Sequence, residues 1–179
     1  MKSNSRGLTL IELLVTLAVM GILSMLVIPS FSVLLAKRAV QAAASDVASD
    51  LRLARSEAVK RSNYVTVCRS TDASTCAAAG SWHTGWVVFL DLNGNGAIDG
   101  AGDTILRVHQ EVSGIQSMGN TDPSTTKAAL TFRPNGLGVG INDTWMVTPL
   151  ASSKPGTTRL MCISSQGRLT LREPGATAC

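Results

Sequence analysis

Charged side chains are almost absent from the first part of the chain. Residues 7–36 contain a single one, the carboxylate of Glu12. Within them, residues 8–27 supply about 20 consecutive mostly apolar residues, roughly the length that a helix needs to cross the hydrocarbon core of a bilayer. This scarcity of charge predicts a membrane-spanning helix. A carboxylate is costly in hydrocarbon, which makes Glu12 a candidate functional residue.

The sequence also lacks the motifs of common enzyme classes. It has no G-x-S-x-G, P-loop or H-E-x-x-H pattern. Its only two histidines, His83 and His109, lie in contexts typical of packing or surface residues. We therefore expect a protein that is not an enzyme and that holds no cofactor.

Four cysteines are present, and no two of them form a C-x-x-C pair. Cys68 and Cys76 lie close together in the sequence, as do Cys162 and Cys179. An even number of cysteines in a chain that faces an oxidising compartment predicts disulfides, for which three connectivities exist. Pairing between sequence neighbours is the simplest of these. A zinc site is the alternative, which the absence of a C-x-x-C pair and the presence of only two histidines disfavour.

The apolar run has two other interpretations. A secretory signal peptide also combines a basic start with an apolar stretch, but its apolar stretch is about 7–15 residues long. The run in this chain is longer, contains Glu12 and is followed by no clear cleavage site. An ordinary membrane anchor remains open, although it would not need a glutamate at this position.

The order of residues around Glu12 carries a resemblance to a known family. Residues 7–13 read G-L-T-L-I-E-L, and Pro29 follows within the apolar run. This pattern resembles the class III signal of type IV pilins and pseudopilins, which often carry a helix-bending proline at that place. The family usually has phenylalanine where this chain has Leu8.

The resemblance implies that a prepilin peptidase cleaves after Gly7 on the cytoplasmic side of the inner membrane and methylates the new amine of Leu8. A carboxylate in a low-dielectric region is tolerated when it is paired with a cation. Glu12 would therefore pair with the new amine of a neighbouring subunit and set the axial register in a filament. Lys2 and Arg6 favour a cytoplasmic leader, which leaves the chain beyond the anchor in the periplasm.

Beyond the anchor, the sequence predicts an α+β protein in which one long N-terminal helix packs on an antiparallel β-sheet head. Apolar residues recur at helical spacing and form one stripe: Val40, Ala44, Val47, Leu51, Ala54 and Ala58. Strand patterns follow at residues 64–68, 85–90, 104–108, 129–132, 144–148, 159–163 and 168–172. We predict a cleaved leader (1–7), a membrane-spanning and filament-core helix (8–36), an amphipathic spine (37–61) and a β-rich periplasmic head (62–179).

The head resembles the GspH/FimT group of minor pilins and pseudopilins. The matching letters are A-R-S-E-A at residues 54–58, G-W-V-V-F at 85–89, F-R-P-N-G at 132–136 and C-I-S-S at 162–165. The resemblance implies a structural subunit that helps to prime and cap a type IV pilus or a type II secretion pseudopilus, near its tip. Its partners would be other minor and major pilins or pseudopilins.

A DNA receptor in DNA uptake is the alternative function, because the group includes members that bind DNA through a C-terminal G-R-x-R-like element. The corresponding element here is partial, since Arg168 and Arg172 are four residues apart. On a strand the two would share a face, and Lys154 and Arg159 could extend a phosphate-binding patch. Two other interpretations are a solvated basic strand edge and a DNA site moved to residues 60–61.

The loop that begins at Asp91 invites a calcium interpretation. Asp91, Asn93 and Asn95 have the first ligand spacings of an EF-hand loop, and Gly96 takes its turn position. The bidentate glutamate that should follow is absent. We therefore favour a polar hairpin turn, in which Asn and Gly tolerate positive φ, and expect no metal.

Overall fold

One helix forms the first part of the fold. The computed structural model describes residues 9–100, 102–120, 127–150 and 156–179, with the side chains of residues 25–30 excepted. Helix α1 spans Leu10–Arg61, 52 residues without a break, or about 78 Å at 1.5 Å per residue. The Oγ1 of Thr9 caps it by accepting from the Glu12 amide at 3.3 Å. Pro29 does not end the helix, as expected.

The two halves of α1 differ in what surrounds them. Its described apolar side chains between residues 10 and 23 are exposed, with Leu10 at 78%. Among the residues that the structure describes, no helix meets the length and hydropathy criteria for crossing a membrane. The predicted span 8–36 includes residues outside the described set, and it stays a prediction.

The second half of α1 is buried along one stripe. All six residues of the predicted stripe are buried, and Ala43, Ala54 and Ala58 have no exposed surface at all. Small side chains let the helix axis lie close to the strands that it crosses. Helix α1 contacts strands of both sheets of the head, so the spine is part of the core rather than a stalk beside it.

Nine strands follow in the described residues. They are β1 (Val65–Arg69), β2 (Trp86–Leu90), β3 (Thr104–His109), β4 (Ile115–Asn120), β5 (Ala129–Phe132), β6 (Gly138–Val139), β7 (Asp143–Pro149), β8 (Arg159–Ile163) and β9 (Leu169–Leu171). They form two antiparallel sheets, ordered β3-β2-β1-β5-β6 and β4-β7-β8-β9. A short 3₁₀ helix, Trp82–Thr84, precedes β2.

The predicted α+β fold is confirmed, and so is each of the seven predicted strands to within a residue or two at its ends. Strands β4 and β6 were not predicted. Strand β4 reads I-Q-S-M-G-N, with few of the β-branched or aromatic residues typical of strands, and β6 contains only Gly138 and Val139. The structure also divides the strands of the head between two sheets.

Strands β1 and β2 form the buried centre of the five-stranded sheet. One face packs in the main core with α1 and with Trp145 and Met161 of the second sheet. The other face carries Cys68, Val87 and Phe89, which form a smaller cluster with residues of the flanking loops. Burial on both faces explains why these two strands read as continuous apolar runs rather than as an alternation.

A buried carboxylate ties α1 to this sheet. Asp50 is 2% exposed and accepts from the Trp86 Nε1 at 2.8 Å and from an Arg107 nitrogen at 2.8 Å. The His109 ring stacks on Trp86, with ring centres 3.9 Å apart, and its Nδ1 lies 3.4 Å from Asp50. Residues from β2 and the edge strand β3 therefore converge on one position of the spine.

We expect Asp50→Ala to lower the free energy of unfolding by about 2 kcal/mol, because it leaves the buried Trp86 N–H without an acceptor. Asp46→Ala is the matched control on the same helix. The Asp46 side chain is 44% exposed and lies 3.7 Å from His109, so its loss should change stability by about 0.5 kcal/mol or less. Urea unfolding followed by tryptophan fluorescence measures both values. Equal losses in the two variants would contradict the role given to Asp50.

Candidate functional site

The N-terminal candidate site is the first turn of α1. Glu12 lies there with an exposed side chain, surrounded by exposed apolar residues such as Ile11 and Leu13. A carboxylate in the first helical turn is favoured by the helix dipole. Glu12 makes no ion pair within the described part of the chain. Gly7 and Leu8, the predicted processing residues, lie outside the described residues.

A groove on the outer face of the second sheet holds the C-terminal candidates. It has a volume of about 800 Å³ and lies over β8, β9 and the chain's last residue. Arg168, Thr170 and Arg172 line it, because alternate residues of an extended segment point to the same face. The structure thus brings Arg168 and Arg172 to one concave surface, and both side chains are exposed.

The other two DNA candidates are placed differently. Arg159 is half-buried, donates to the Arg172 carbonyl oxygen at 3.1 Å and lies 3.5 Å from the Glu173 carboxylate. Its charge is therefore already used to hold the C-terminal segment. Lys154 lies outside the described residues.

Both cysteine pairs form disulfides between sequence neighbours, the simplest of the three connectivities. Cys68 bonds to Cys76, and Cys162 bonds to Cys179. The second disulfide fastens the last residue of the chain to β8, inside the groove. Arg172 supports this arrangement by donating to the Cys179 carbonyl oxygen at 3.1 Å.

Buried and local hydrogen bonds order the loop that the first disulfide closes and the segment that follows it. Arg69 is buried and donates to the carbonyl oxygens of Gly80 and Ala78, and its burial lowers its pKa. The Asp72 carboxylate accepts from the Thr75 hydroxyl at 2.6 Å and from the amides of residues 74 and 75. These donors hold the pKa of Asp72 well below its usual range.

The loop at Asp91 is organised as a turn. Asp91 is fully buried, and its carboxylate accepts from the Thr66 hydroxyl at 2.7 Å and from the amides of Gly94 and Gly96 at 2.8 and 2.9 Å. The side-chain amides of residues 93 and 95 both donate to Asp99. No group of three His, Cys, Asp or Glu residues among those described is arranged to hold a metal ion.

A second depression adjoins the groove and was not predicted. It has a volume of about 260 Å³, and Arg52 and Arg55 of α1 line it together with Gln166 and Arg168 of the β8–β9 turn. In the sequence these two helix arginines lie off the apolar stripe and belong to no recognised motif. Their spacing of three residues places both on one helix face, which is the signal that could have drawn attention to them.

The basic residues at the end of α1 are balanced differently. Lys60 and Arg61 both pair with Glu57. The hydrogen bond from Arg61 lowers the pKa of the Glu57 carboxyl, against the opposing effect of desolvation. At the alternative DNA site, the same carboxylate therefore partly neutralises both cations of residues 60–61.

Comparisons with known proteins agree with this architecture. The profile of the family described as Type II transport protein GspH matches residues 43–171, and that of the prokaryotic N-terminal methylation motif matches residues 2–28. Pilin-like protein PilA1 of Thermus thermophilus is 31% identical over 169 residues, which cover 93% of this chain and 97% of that protein. Two crystal forms of the type IV minor pilin FimU from Pseudomonas aeruginosa superpose with TM-scores of 0.53 and 0.52. Both are 22% identical to this chain. Each match covers 77% of this chain and, in the two crystal forms, 94% and 99% of the FimU chain.

We expect the paired change Cys162→Ser and Cys179→Ser to lower the free energy of unfolding by about 3 kcal/mol, the value that chain entropy predicts for a loop of this length. Release of the last residues should also let trypsin cleave after Arg172. Both samples are reduced after brief trypsin treatment and quenching, because the Cys162–Cys179 disulfide would otherwise retain a cut peptide, and mass spectrometry then detects the loss of residues 173–179. The oxidised wild type, treated in parallel, should keep these residues. Equal cleavage and equal stability in both proteins would contradict the fastening role of this disulfide.

Proposed function

Because the chain belongs to the Type II transport protein GspH family, a family of structural minor pilins and pseudopilins, we propose that it helps to prime and cap a type IV pilus or a type II secretion pseudopilus. One observation carries the proposal. The methylation motif matched at residues 2–28 runs into the same unbroken helix that forms the spine of the head. A subunit of this shape can enter a filament by its helix and present its head outside.

Processing prepares the helix for assembly in this proposal. The methylation motif implies processing by a prepilin peptidase, and we place the cut between Gly7 and Leu8. The new amine of one subunit then meets the Glu12 carboxylate of its neighbour. In an apolar environment such a pair is far more stable than either charge alone, so subunits settle at the one axial offset that forms it.

The exposed apolar half of α1 supports the remaining part of the proposal. Its side chains from Leu10 to Leu23 are covered by nothing in the head. They would lie in the inner membrane before assembly and against the helices of other pilins or pseudopilins afterwards. The head would then stand in the periplasm and, after assembly, near the filament tip.

We expect the Glu12→Val protein to insert in the membrane, because the change removes a costly charge. Its amount in filaments should fall at least about tenfold, which is the effect of losing roughly 1.4 kcal/mol of pairing energy. Immunoblots of sheared filaments and of membrane fractions measure the two pools. Thr16→Val is the matched control, since Thr16 is exposed on the same helix and donates only to the Leu13 carbonyl oxygen among the described contacts. Wild-type incorporation of the Glu12→Val protein would contradict the register role.

The groove favours a second candidate function, binding of DNA in uptake. Arg168 and Arg172 line this open surface together with Asp143. Neither arginine makes an ion pair with an Asp or Glu side chain of the described residues, and Arg172 donates one N–H to a main-chain oxygen of Cys179. Guanidinium groups bind phosphate oxygens through paired N–H donors. A filament-tip subunit with such a groove would hold DNA by its backbone, without preference for base sequence.

We expect Arg168→Ala with Arg172→Ala to weaken duplex binding about tenfold at low salt, because two phosphate contacts are lost. The midpoint of thermal unfolding should stay nearly unchanged, since both side chains are exposed and the disulfide still holds Cys179 when its hydrogen bond from Arg172 is lost. Gel-shift titrations of the full-length protein in non-ionic detergent, at two salt concentrations, measure the effect. Equal binding by the variant and the wild type would exclude the groove as the DNA site.

A further inference from the structure

The depression between α1 and the β8–β9 turn combines arginines from two distant parts of the chain. Arg52 and Arg55 come from the exposed face of α1, and Arg168 follows the turn at residues 164–167. All three side chains are exposed, and none is ion-paired with a carboxylate within the described residues. Three guanidinium groups around about 260 Å³ form a concentrated positive site.

One hydrogen bond orients Arg55 toward the turn. One of its terminal nitrogens donates to the Gln166 carbonyl oxygen at 3.1 Å. A Cβ at Gly136, in the β5–β6 turn, would lie 3.3 Å from the Arg55 Nε, so this glycine leaves room for the side chain. A guanidinium has five N–H donors, and one is used here. The rest of the group is positioned for a ligand and loses little freedom on binding.

The turn that carries Arg168 is equally fixed. Gly167 has a φ of +72°, and a Cβ there would approach the Phe132 ring to 2.6 Å. The glycine therefore lets the turn lie directly on the core. The Arg168 amide also donates to the Ser164 hydroxyl at 3.1 Å. The backbone of the turn and the Arg55 side chain are therefore held in place, which defines both walls of the depression.

The depression and the groove are joined. Gln166 and Arg168 line both of them, so the surface runs from Arg172 over the turn to the two arginines of α1. A single carboxylate from a neighbouring protein would neutralise only one arginine of this surface. Four arginines lie along this concave surface, and Asp143 is the one carboxylate side chain among the described residues that line it. This excess of positive charge matches a ligand that repeats its negative charge, which is the property of a nucleic-acid backbone.

We propose that Arg52 and Arg55, with Arg168, form a phosphate-binding depression that extends the C-terminal groove, so that a nucleic-acid backbone crosses the β8–β9 turn onto the spine of the head. This inference rests on the DNA-binding candidate function above and adds a site on α1 to it. The helix that fixes the head would then also hold the ligand, whereas Lys60 and Arg61, paired with Glu57, contribute less.

The test is a fluorescence anisotropy titration of the full-length protein, in non-ionic detergent with both disulfides formed, against a short labelled duplex of mixed sequence. Arg52→Gln with Arg55→Gln should weaken binding about tenfold at low salt and reduce the slope of log K against log salt by roughly 1.8, as for two lost phosphate contacts. Lys37→Gln with Arg38→Gln is the matched control, because it removes the same charge from exposed positions on the same helix. It should weaken binding by less than about twofold, since neither residue faces the depression.

Arg52→Gln alone is the second variant, because Arg55 also supports the turn. It should weaken binding about threefold with an unchanged thermal midpoint, the effect of roughly one lost contact. Wild-type binding by both helix variants, while Arg168→Ala with Arg172→Ala binds weakly, would overturn the extension and leave the groove as the DNA site. Absence of wild-type binding at low salt would remove the DNA function altogether. Equal losses of affinity in Arg52→Gln with Arg55→Gln and in its control would also overturn the proposal. So would displacement of the labelled duplex by poly-glutamate that equals its displacement by unlabelled duplex at matched charge.

Discussion

The close packing of α1 on both sheets is the interaction on which the rest of the structure depends. Ala43, Ala54 and Ala58 have no exposed surface, and side chains of this size bring the helix backbone near the strands. The core cluster contains residues of α1 and of both sheets, so the spine is the element that the sheets share. Because α1 is one helix of 52 residues, burying its second half also directs its apolar first half away from the head.

The helical period that buries the apolar stripe of α1 also determines where the polar side chains of this helix lie. Leu51 is buried, whereas Arg52 and Arg55 point outward to the β8–β9 turn. Asp50 is the polar exception on the buried side, and the Trp86 N–H and the Arg107 guanidinium satisfy it. A buried carboxylate with two donors favours one rotation of the helix against the sheet. That rotation determines which arginines of α1 face solvent and the depression.

Much of this fold could be predicted from sequence because its main signals are local. The stripe follows a helical period, strands β1 and β2 are continuous apolar runs, and each disulfide joins near neighbours in the chain. Non-local features could not be predicted. Asp50 reads as a surface residue until Trp86 is placed against it, 36 residues away. Arg55 meets Gln166 across 111 residues, so no local pattern indicates the depression that they share.

In the proposed function, the chain is a pilin-like subunit whose processed helix enters a filament. The most direct test is the identity of its mature N-terminus, measured by mass spectrometry on protein recovered from membranes and from sheared filaments. We expect a chain that begins at Leu8 and carries an N-methyl group on that amine. A chain that begins at Met1, or one cleaved on the far side of the apolar run as a secretory signal peptide would be, would contradict it.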